Sequence, residues 1–260
     1  MFCPVTSRKE TNMKFLDARI QLGPRCMLRE GAPNTTEEIL EVMQRCDIEK
    51  AIAFHALAKE SNIQAGNEEL LKITGEDTPF LRQWCAMPST FGEFYAPDEL
   101  FRLMKQHNVT SLRLLPKKCN IPLKPYIMGK LMAAAADCHV PVFMTLHEDI
   151  LPHELYELCK DYPDVNFVIC GVDYRQNRII GPILEQCPNF YFGSSVYVVH
   201  GGLKLLSQYG YTDRLIFESG LPTGSATAAV SLVRYAEISD EEKQLIAHGN
   251  MERLLSAVTL

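Results

Sequence analysis

The sequence has no excess of positive charge. Its 260 residues include 26 Lys and Arg against 32 Asp and Glu, a net charge of −6. The basic residues form no stripe, and nucleic-acid phosphates need clustered positive charge, so we expect no nucleic-acid partner. Long apolar runs are also absent. The best stretch, 131–140, is interrupted by Asp137 and His139 and is too short to cross a membrane.

Closely spaced cysteines are absent as well. The nine cysteines are scattered singly along the chain, whereas zinc sites and redox motifs place two within about four residues of each other. The odd count argues against a disulfide framework, so we expect free, mostly buried thiols in a reducing cytoplasm. Residues 1–14 lack the apolar run of a secretory signal, and we interpret 1–13 as an extension that precedes the fold.

Two motifs that would point directly to a known chemistry are missing. The segment 21–25, after the first predicted strand, is not the glycine-rich loop that binds phosphates in open α/β sheets. The pair Ser194 and Ser195 lacks the glycine pattern that exposes a nucleophilic serine at a strand-to-helix turn. We therefore expect neither an open nucleotide-binding sheet nor a hydrolase with that serine motif.

Short apolar segments alternate with helical ones from Lys14 to the end of the chain. Apolar strands without polar alternation are typical of a parallel sheet covered by helices. Eight such units, with no linker or low-complexity segment between them, predict a single-domain α/β protein, a (β/α)8 TIM-type barrel over residues 14–260. The predicted strands are 15–20, 51–55, 83–87, 111–115, 142–146, 166–170, 190–195 and 214–218. The predicted helices are 36–45, 65–73, 98–106, 126–138, 152–160, 178–186, 202–208 and 226–236, with closing helices at 240–248 and 251–258.

Segments spread over nearly the whole chain resemble the amidohydrolase superfamily, specifically its amidohydrolase-related branch of barrel hydrolases and decarboxylases. The segment 15–23 is similar to the family's opening strand, a hydrophobic residue followed by Asp-Ala-His-x-His-x-Gly. Segments similar to later strands and to the closing helices follow in the family's order at 140–144, 162–168, 188–192, 213–217, 238–243 and 249–255. The resemblance implies a barrel whose site lies at the carboxyl ends of the strands.

The sequence differs from the family at the positions that hold its metal. The resemblance places the family's ligands at Arg19 and Gln21 on the first strand, Thr145 on the fifth, Gly171 on the sixth and Gly220 on the eighth. Zinc needs imidazole, thiolate or carboxylate ligands at about 2 Å, and neither guanidinium nor glycine supplies one. We therefore predict a diverged relative with no metal ligands and no cofactor.

Three residues at predicted strand ends are candidate catalytic residues. An imidazole titrates near ~6.5, so His55 and His147 suit proton transfer. Glu218 ends the last predicted strand, where a buried carboxylate can act as an acid or base. Each residue also has a structural alternative: His55 as a hydrogen-bonded residue of the rim, Asp149 beside His147 as a helix cap, and Glu218 as the counter-ion of an arginine.

Three further residues are candidate substrate-binding residues: Arg19, Arg113 and Asp173. Arg113 is a single charge within an apolar strand, so it either faces the barrel interior with a partner or is expelled to the surface, and we favour the interior. Arg19 and Arg113 would bind an anion. The neighbouring Lys117 and Lys118 are expected to lie on an exposed loop.

Arg19 has two open interpretations. Asp17, Arg19 and Gln21 share one face of the first strand by the period of two, and a buried arginine requires a carboxylate, which Asp17 or Glu218 would supply. Arg19 then either binds a substrate carboxylate or phosphate in the place of the metal, or fills that place as a structural salt bridge.

The leading functional hypothesis is a hydrolase or lyase that acts on a small anionic, carboxylate-bearing molecule without the family's metal centre. The alternative is a catalytically inactive pseudoenzyme that binds a ligand or a protein partner, because a fold does not guarantee a function. A third hypothesis is a metallohydrolase whose ligands have moved to His55, His147 and Glu218. We expect a cytoplasmic protein with a small-molecule ligand and no membrane partner, and we leave a homo-oligomer open.

Overall fold

A computed structural model describes residues 13–75, 77–89 and 91–260. Most of the predicted extension, residues 1–12, lies outside the described residues. Met13, the last residue of that extension, is fully buried in the core. In the described part of the chain, no helix is long and apolar enough to cross a membrane.

Eight parallel strands form one sheet in sequential order, which confirms the predicted barrel. The strands are β1 Phe15–Leu22, β2 Ile48–His55, β3 Phe80–Ala86, β4 Val109–Leu114, β5 Val142–Thr145, β6 Phe167–Cys170, β7 Phe190–Gly193 and β8 Leu215–Ile216. Backbone hydrogen bonds of 3.0 Å from the Ala18 N–H to the Phe217 carbonyl and from the Gln21 N–H to the Leu221 carbonyl join β1 to the end of β8 and close the sheet.

Helices surround the strands, as expected for a buried parallel sheet. They are α1 Thr36–Arg45, α2 Ala56–Glu60, α3 Ile63–Ile73, α4 Pro97–Gln106, α5 Pro116–Cys119, α6 Pro125–Asp137, α7 Leu155–Asp161, α8 Asn177–Gln186, α9 Gly202–Gln208, α10 Ala226–Arg234, α11 Asp240–Gln244 and α12 Asn250–Ser256. The starts of α1 and α11 carry capping boxes, in which Thr35 pairs with Glu38 and Ser239 pairs with Glu242.

The apolar core has two layers. One cluster fills the barrel interior, with residues from six strands and with Met251 and Leu254 of α12. The larger cluster lies between the strands and the surrounding helices. Strand residues therefore divide between an inner and an outer face, and the inner face continues towards the carboxyl ends of the strands, where polar side chains replace apolar ones.

A bulge interrupts β1 beside the site. The register between β1 and β2 shifts between Asp17 and Ile20. Leu16 and Ala18 belong to the interior cluster, whereas Ile20 belongs to the outer one, so the alternation of side chains changes phase at the bulge. The predicted common face of Asp17, Arg19 and Gln21 is therefore wrong for Asp17, because the period of two does not continue across a bulge.

Candidate active site

An ion pair between Arg19 and the buried Glu218 lies at the barrel mouth. The Nε atom of Arg19 lies 2.9 Å from Oε2 of Glu218, whose side chain is fully buried. The other oxygen, Oε1, accepts hydrogen bonds from the Gly171 N–H (2.7 Å) and the Ser195 hydroxyl (3.0 Å). Of the two carboxylates predicted as partners for Arg19, Glu218 fills that position. With both oxygens in contact with protein groups, Glu218 holds the guanidinium in place.

Two nitrogens of Arg19, Nη1 and Nη2, make no hydrogen bond within the described part of the chain. The side chain is 18% exposed. Burial alone lowers the pKa of Arg19, but nearby negative charges, led by Glu218, outweigh it and shift the pKa upward. Arg19 is thus positively charged and contacts Glu218 through Nε, and its two terminal nitrogens can donate hydrogen bonds to a ligand.

Glycines surround this guanidinium. A Cβ atom on Gly220 would lie 2.6 Å from Nη2 of Arg19, and one on Gly171 would lie 4.0 Å from Nη1. A Cβ atom on Gly193 would lie 2.2 Å from Oε1 of Glu218. Gly171 and Gly220 also have φ angles of +70° and +72°, which favour glycine. The missing side chains therefore provide the space that the ion pair occupies.

Arg113 lies inside the barrel, as predicted, and it is 1% exposed. Its Nε donates to Oε1 of Gln83 (2.8 Å), and its Nη1 donates to Oγ1 of Thr145 (2.9 Å). Nη1 also lies 3.5 Å from Oδ2 of Asp149, and the guanidinium carbon lies 4.5 Å from the centre of the Phe54 ring. Arg113 is therefore well supplied with protein partners. Its predicted role in substrate binding stays a prediction.

Asp149 is the internal counter-ion of Arg113 and not a helix cap. It is 4% exposed, and its Oδ2 accepts the Thr145 N–H at 2.7 Å. Burial raises the pKa of Asp149, and the charge of Arg113 offsets part of that shift. The predicted cap position is wrong because α7 begins only at Leu155, after a short 3-10 turn that Glu154 caps at the Leu151 N–H.

His55 ends β2 and caps the helix that follows. Its Nδ1 accepts the Leu57 N–H at 3.1 Å, so the neutral ring carries its proton on Nε2. The residue is 6% exposed, and burial lowers its pKa. The ring packs against Gly23, where an added Cβ would lie 2.1 Å from Nε2. The structural alternative for His55 is therefore realised, and a catalytic role is confined to Nε2.

His147 and Asp173 lie together on the rim. The side chain of His147 is half exposed, and its Nε2 lies 3.9 Å from Oδ2 of Asp173 and 3.3 Å from Nε2 of Gln176. Oδ1 of Asp173 accepts the Arg175 N–H at 2.7 Å and caps a short turn. Asp173 is thus placed to orient His147, and the predicted roles of both residues in chemistry and binding stay predictions.

Lysines join the loops around the mouth, which the sequence does not reveal. Nζ of Lys59 lies 2.7 Å from Oε1 of Glu148, Lys117 donates to the His147 carbonyl at 2.6 Å, and Lys118 donates to the Lys59 carbonyl. Burial raises the pKa of Glu148, but the hydrogen bond from Lys59 and the arginine charges lower it further than burial raises it. The prediction of an exposed loop is wrong for Lys117 and Lys118, because both lie in the short helix α5, where they contact segments that are distant in sequence.

These residues do not fit the metal centre that the resemblance implies. The guanidinium of Arg19 stands where a side chain on Gly220 would project, and Thr145 is bonded to Arg113. Among the described residues, no three His, Cys, Asp or Glu side chains meet as a metal ion requires. The hypothesis of a relocated site at His55, His147 and Glu218 gains no support from this geometry.

Comparisons with known proteins agree with the fold. No protein-family model matches the sequence, and no curated protein matches it. Solved structures do. An uncharacterised TIM-barrel protein from Bordetella bronchiseptica is 19% identical, with a TM-score of 0.73 over 94% of this chain and 99% of the other. The 5-carboxyvanillate decarboxylase of Sphingomonas paucimobilis is 12% identical, with a TM-score of 0.69 over 95% and 100%.

A third similar structure is a Staphylococcus aureus protein assigned as an amidohydrolase, 14% identical, with a TM-score of 0.71 over 94% of this chain and 100% of the other. At such identities the likeness shows a shared barrel fold. The resemblance to amidohydrolases that the sequence indicates is therefore confirmed at the level of the fold.

Proposed function

We propose that this protein is a hydrolase or lyase that acts on a small carboxylate and works without a metal. The observation that carries the proposal is the free pair of terminal nitrogens on Arg19, held at the barrel mouth by Glu218. A guanidinium with two free parallel donors matches the two oxygens of a carboxylate. The barrel mouth is also where enzymes of this fold bind their substrates.

The similar structures support the class of substrate. They include the 5-carboxyvanillate decarboxylase and a 2,6-dihydroxybenzoate decarboxylase in complex with 2,6-dihydroxybenzoate, which is 13% identical and has a TM-score of 0.72. Both names describe aromatic carboxylates. We take small aromatic carboxylates as the first compounds to test, and hydrolysis or loss of carbon dioxide as the reactions to test.

In this proposal each site residue has a defined task. Arg19 binds the substrate carboxylate, and Glu218 positions Arg19. His147, half exposed and close to Asp173, moves the proton. The neutral ring of His55 offers an Nε2–H donor, while its Nδ1 stays on the helix cap. Glu218, predicted as catalytic, here acts through the arginine that it holds.

The test of substrate binding is a comparison of wild type with R19M. We expect wild type to bind 2,6-dihydroxybenzoate or a related carboxylate in calorimetry, and R19M to bind it about tenfold or more weakly, because a charge-assisted hydrogen bond contributes ~1.5–3 kcal/mol. R234M is the matched control, since Arg234 also pairs with a carboxylate (Asp47, 2.9 Å) but lies at the other end of the barrel. Equal affinities in wild type and R19M would refute the role of Arg19.

The test of the metal-free proposal is elemental mass spectrometry of purified, untagged protein. We expect far less than one zinc, manganese or iron per chain, both as purified and after incubation with each ion. We also expect no loss of any measured turnover with a chelator. Near-stoichiometric metal would overturn the proposal and return attention to His55, His147 and Glu218.

A second candidate is a pseudoenzyme that binds a small molecule without changing it. One observation favours it: Glu218, which could have served as an acid or base, has both of its oxygens in contact with other protein groups. A single assay of binding and turnover distinguishes the enzyme from the pseudoenzyme. Carboxylate binding that R19M abolishes, with no turnover of any bound compound, favours the pseudoenzyme.

A further inference from the structure

Asp17 contacts the backbone on both sides of the Arg19–Glu218 pair. Its Oδ1 accepts the N–H of Arg19 and the N–H of Ser219, the residue after Glu218, each at 3.0 Å. The side chain is fully buried. One carboxylate oxygen therefore holds the main chain of the cation and the main chain next to the anion.

This contact lies at an irregular part of the barrel. β8 ends at Ile216, two residues before Glu218, and the register of β1 with β2 shifts between Asp17 and Ile20. Regular backbone bonds flank the gap, from the Ala18 N–H to the Phe217 carbonyl and from the Gln21 N–H to the Leu221 carbonyl. Between them the strands need another acceptor, because a buried N–H without a partner is costly. Asp17 provides it.

The other oxygen of Asp17 is unusual for a purely structural residue. Oδ2 is buried, and within the described part of the chain no group donates a hydrogen bond to it. Burial raises the pKa of Asp17 to about 6, because the ionised carboxylate loses its hydration in this position. A buried carboxylate with only one bonded oxygen needs an explanation. One explanation is that Asp17 is kept there because its other oxygen is a strong acceptor for two backbone N–H groups at the site.

We propose that Asp17 is a positioning residue that aligns β1 with the end of β8, so that Arg19 meets Glu218 and its terminal nitrogens face the barrel mouth. The consequence for ligand binding rests on the proposed function. The alignment itself does not, because it concerns only contacts within the protein. A contact between the two segments is needed because Arg19 lies on β1 and Glu218 follows β8, so neither segment alone positions both charged side chains.

The first test measures the reactivity of Arg19 with phenylglyoxal, followed by peptide mapping, in D17A, D17N and the control D47A. Phenylglyoxal attacks the neutral guanidine, and Glu218 disfavours that form. D17A removes two hydrogen bonds to a charged acceptor, so Arg19 would no longer be held beside Glu218. We therefore expect D17A to speed the modification of Arg19 by about tenfold. D17N keeps one acceptor oxygen and should restore the rate to within about threefold of wild type. D47A should change the phenylglyoxal reactivity of Arg234 and leave that of Arg19 unchanged.

A second measurement serves if D17A does not fold. In D17N the amide hydrogens of Arg19 and Ser219 should exchange faster than in wild type, because a neutral acceptor replaces a charged one. The amides of Ala18 and Gln21, which bond to backbone carbonyls, should not change. Equal acceleration of all four amides would mean that Asp17 acts only on global stability, and would overturn the proposal.

The outcomes also separate this inference from the proposed function. If D17A alters the reactivity of Arg19 but wild type binds no carboxylate, including 2,6-dihydroxybenzoate, the positioning role stands and the proposed function fails. If wild type binds a carboxylate and D17A changes neither its affinity nor the reactivity of Arg19, the proposed function stands and the positioning role is refuted.

Discussion

Replacing Asp17 by asparagine tests how strongly the fold opposes ionisation of this carboxyl group. Burial raises the pKa of Asp17 from 3.8 to about 6, because the hydrogen bonds from Ser219 and Arg19 offset only part of the desolvation. A shift of roughly two pKa units corresponds to ~3 kcal/mol. The folded pKa lies above the unfolded one. The stability from the protonated group is therefore fully present below pH 3.8 and is lost as the pH rises through about 6.

D17N lacks this titration. We expect the free energy of unfolding of wild type, minus that of D17N, to fall by roughly 2 to 3 kcal/mol as the pH rises from about 4 to about 7. Urea titrations at a series of pH values measure it, with the fluorescence of Trp84 as the signal. Trp84 is the single tryptophan and is 3% exposed. Comparison at each pH cancels the titration of groups that the two proteins share.

Glu242 provides a control with the opposite sign. Hydrogen bonds, led by the one from Ser207, lower the pKa of Glu242 from 4.5 to about 2. Its contribution to stability is therefore present above pH 4.5 and lost as the pH falls, so the difference between wild type and E242Q should grow with rising pH. A difference between wild type and D17N that stays constant, or that also grows with pH, would refute the account of Asp17.

Two further predictions concern the packing of the arginines. G220A and G31A should each lose ~1 kcal/mol of stability, since both glycines have positive φ. Only G220A should move the Arg19 guanidinium and change its reactivity with phenylglyoxal, because no atom of the described residues lies within 4 Å of a Cβ on Gly31. R113M should lose ~3–5 kcal/mol in urea unfolding, as it leaves Asp149 buried and unpaired, and D149N in the same chain should recover part of that loss. Equal phenylglyoxal reactivity in both glycine variants, or an unfolding midpoint unchanged by R113M, would contradict these accounts.

The barrel was predictable because its signals are local. Apolar strands, amphipathic helices and the capping residues at Thr35 and Ser239 are visible in short windows of sequence, and their alternation leaves few architectures. The bulge in β1 was not predictable. It is a shift in the pairing of β1 with β2, beside a contact of Asp17 with Ser219 about two hundred residues later in the chain, and the sequence of β1 carries no local sign of it.

The site was predictable in part for the same reason. The location of Arg113 inside the barrel could be predicted because it is a single charge among leucines. For Arg19, the sequence left two carboxylates as possible partners, Asp17 and Glu218. The contact of Asp149 with Arg113 of β4 and the contact of Lys59 of α2 with Glu148 join segments whose spatial order only the closed barrel sets. Asp149, which the sequence offers as a helix cap, is thus the counter-ion of a buried arginine in the fold.

The ion pair at the mouth depends on residues that lack side chains. Glu218 occupies the space of a side chain at Gly193, and Arg19 occupies that of a side chain at Gly220. A single return to the resembled family's pattern, such as G220D, would place its Cβ 2.6 Å from the Arg19 guanidinium and would not create a metal site. The arginine, the glutamate and the two glycines therefore form one packing unit, and a change at any one of them is expected to require changes at the others.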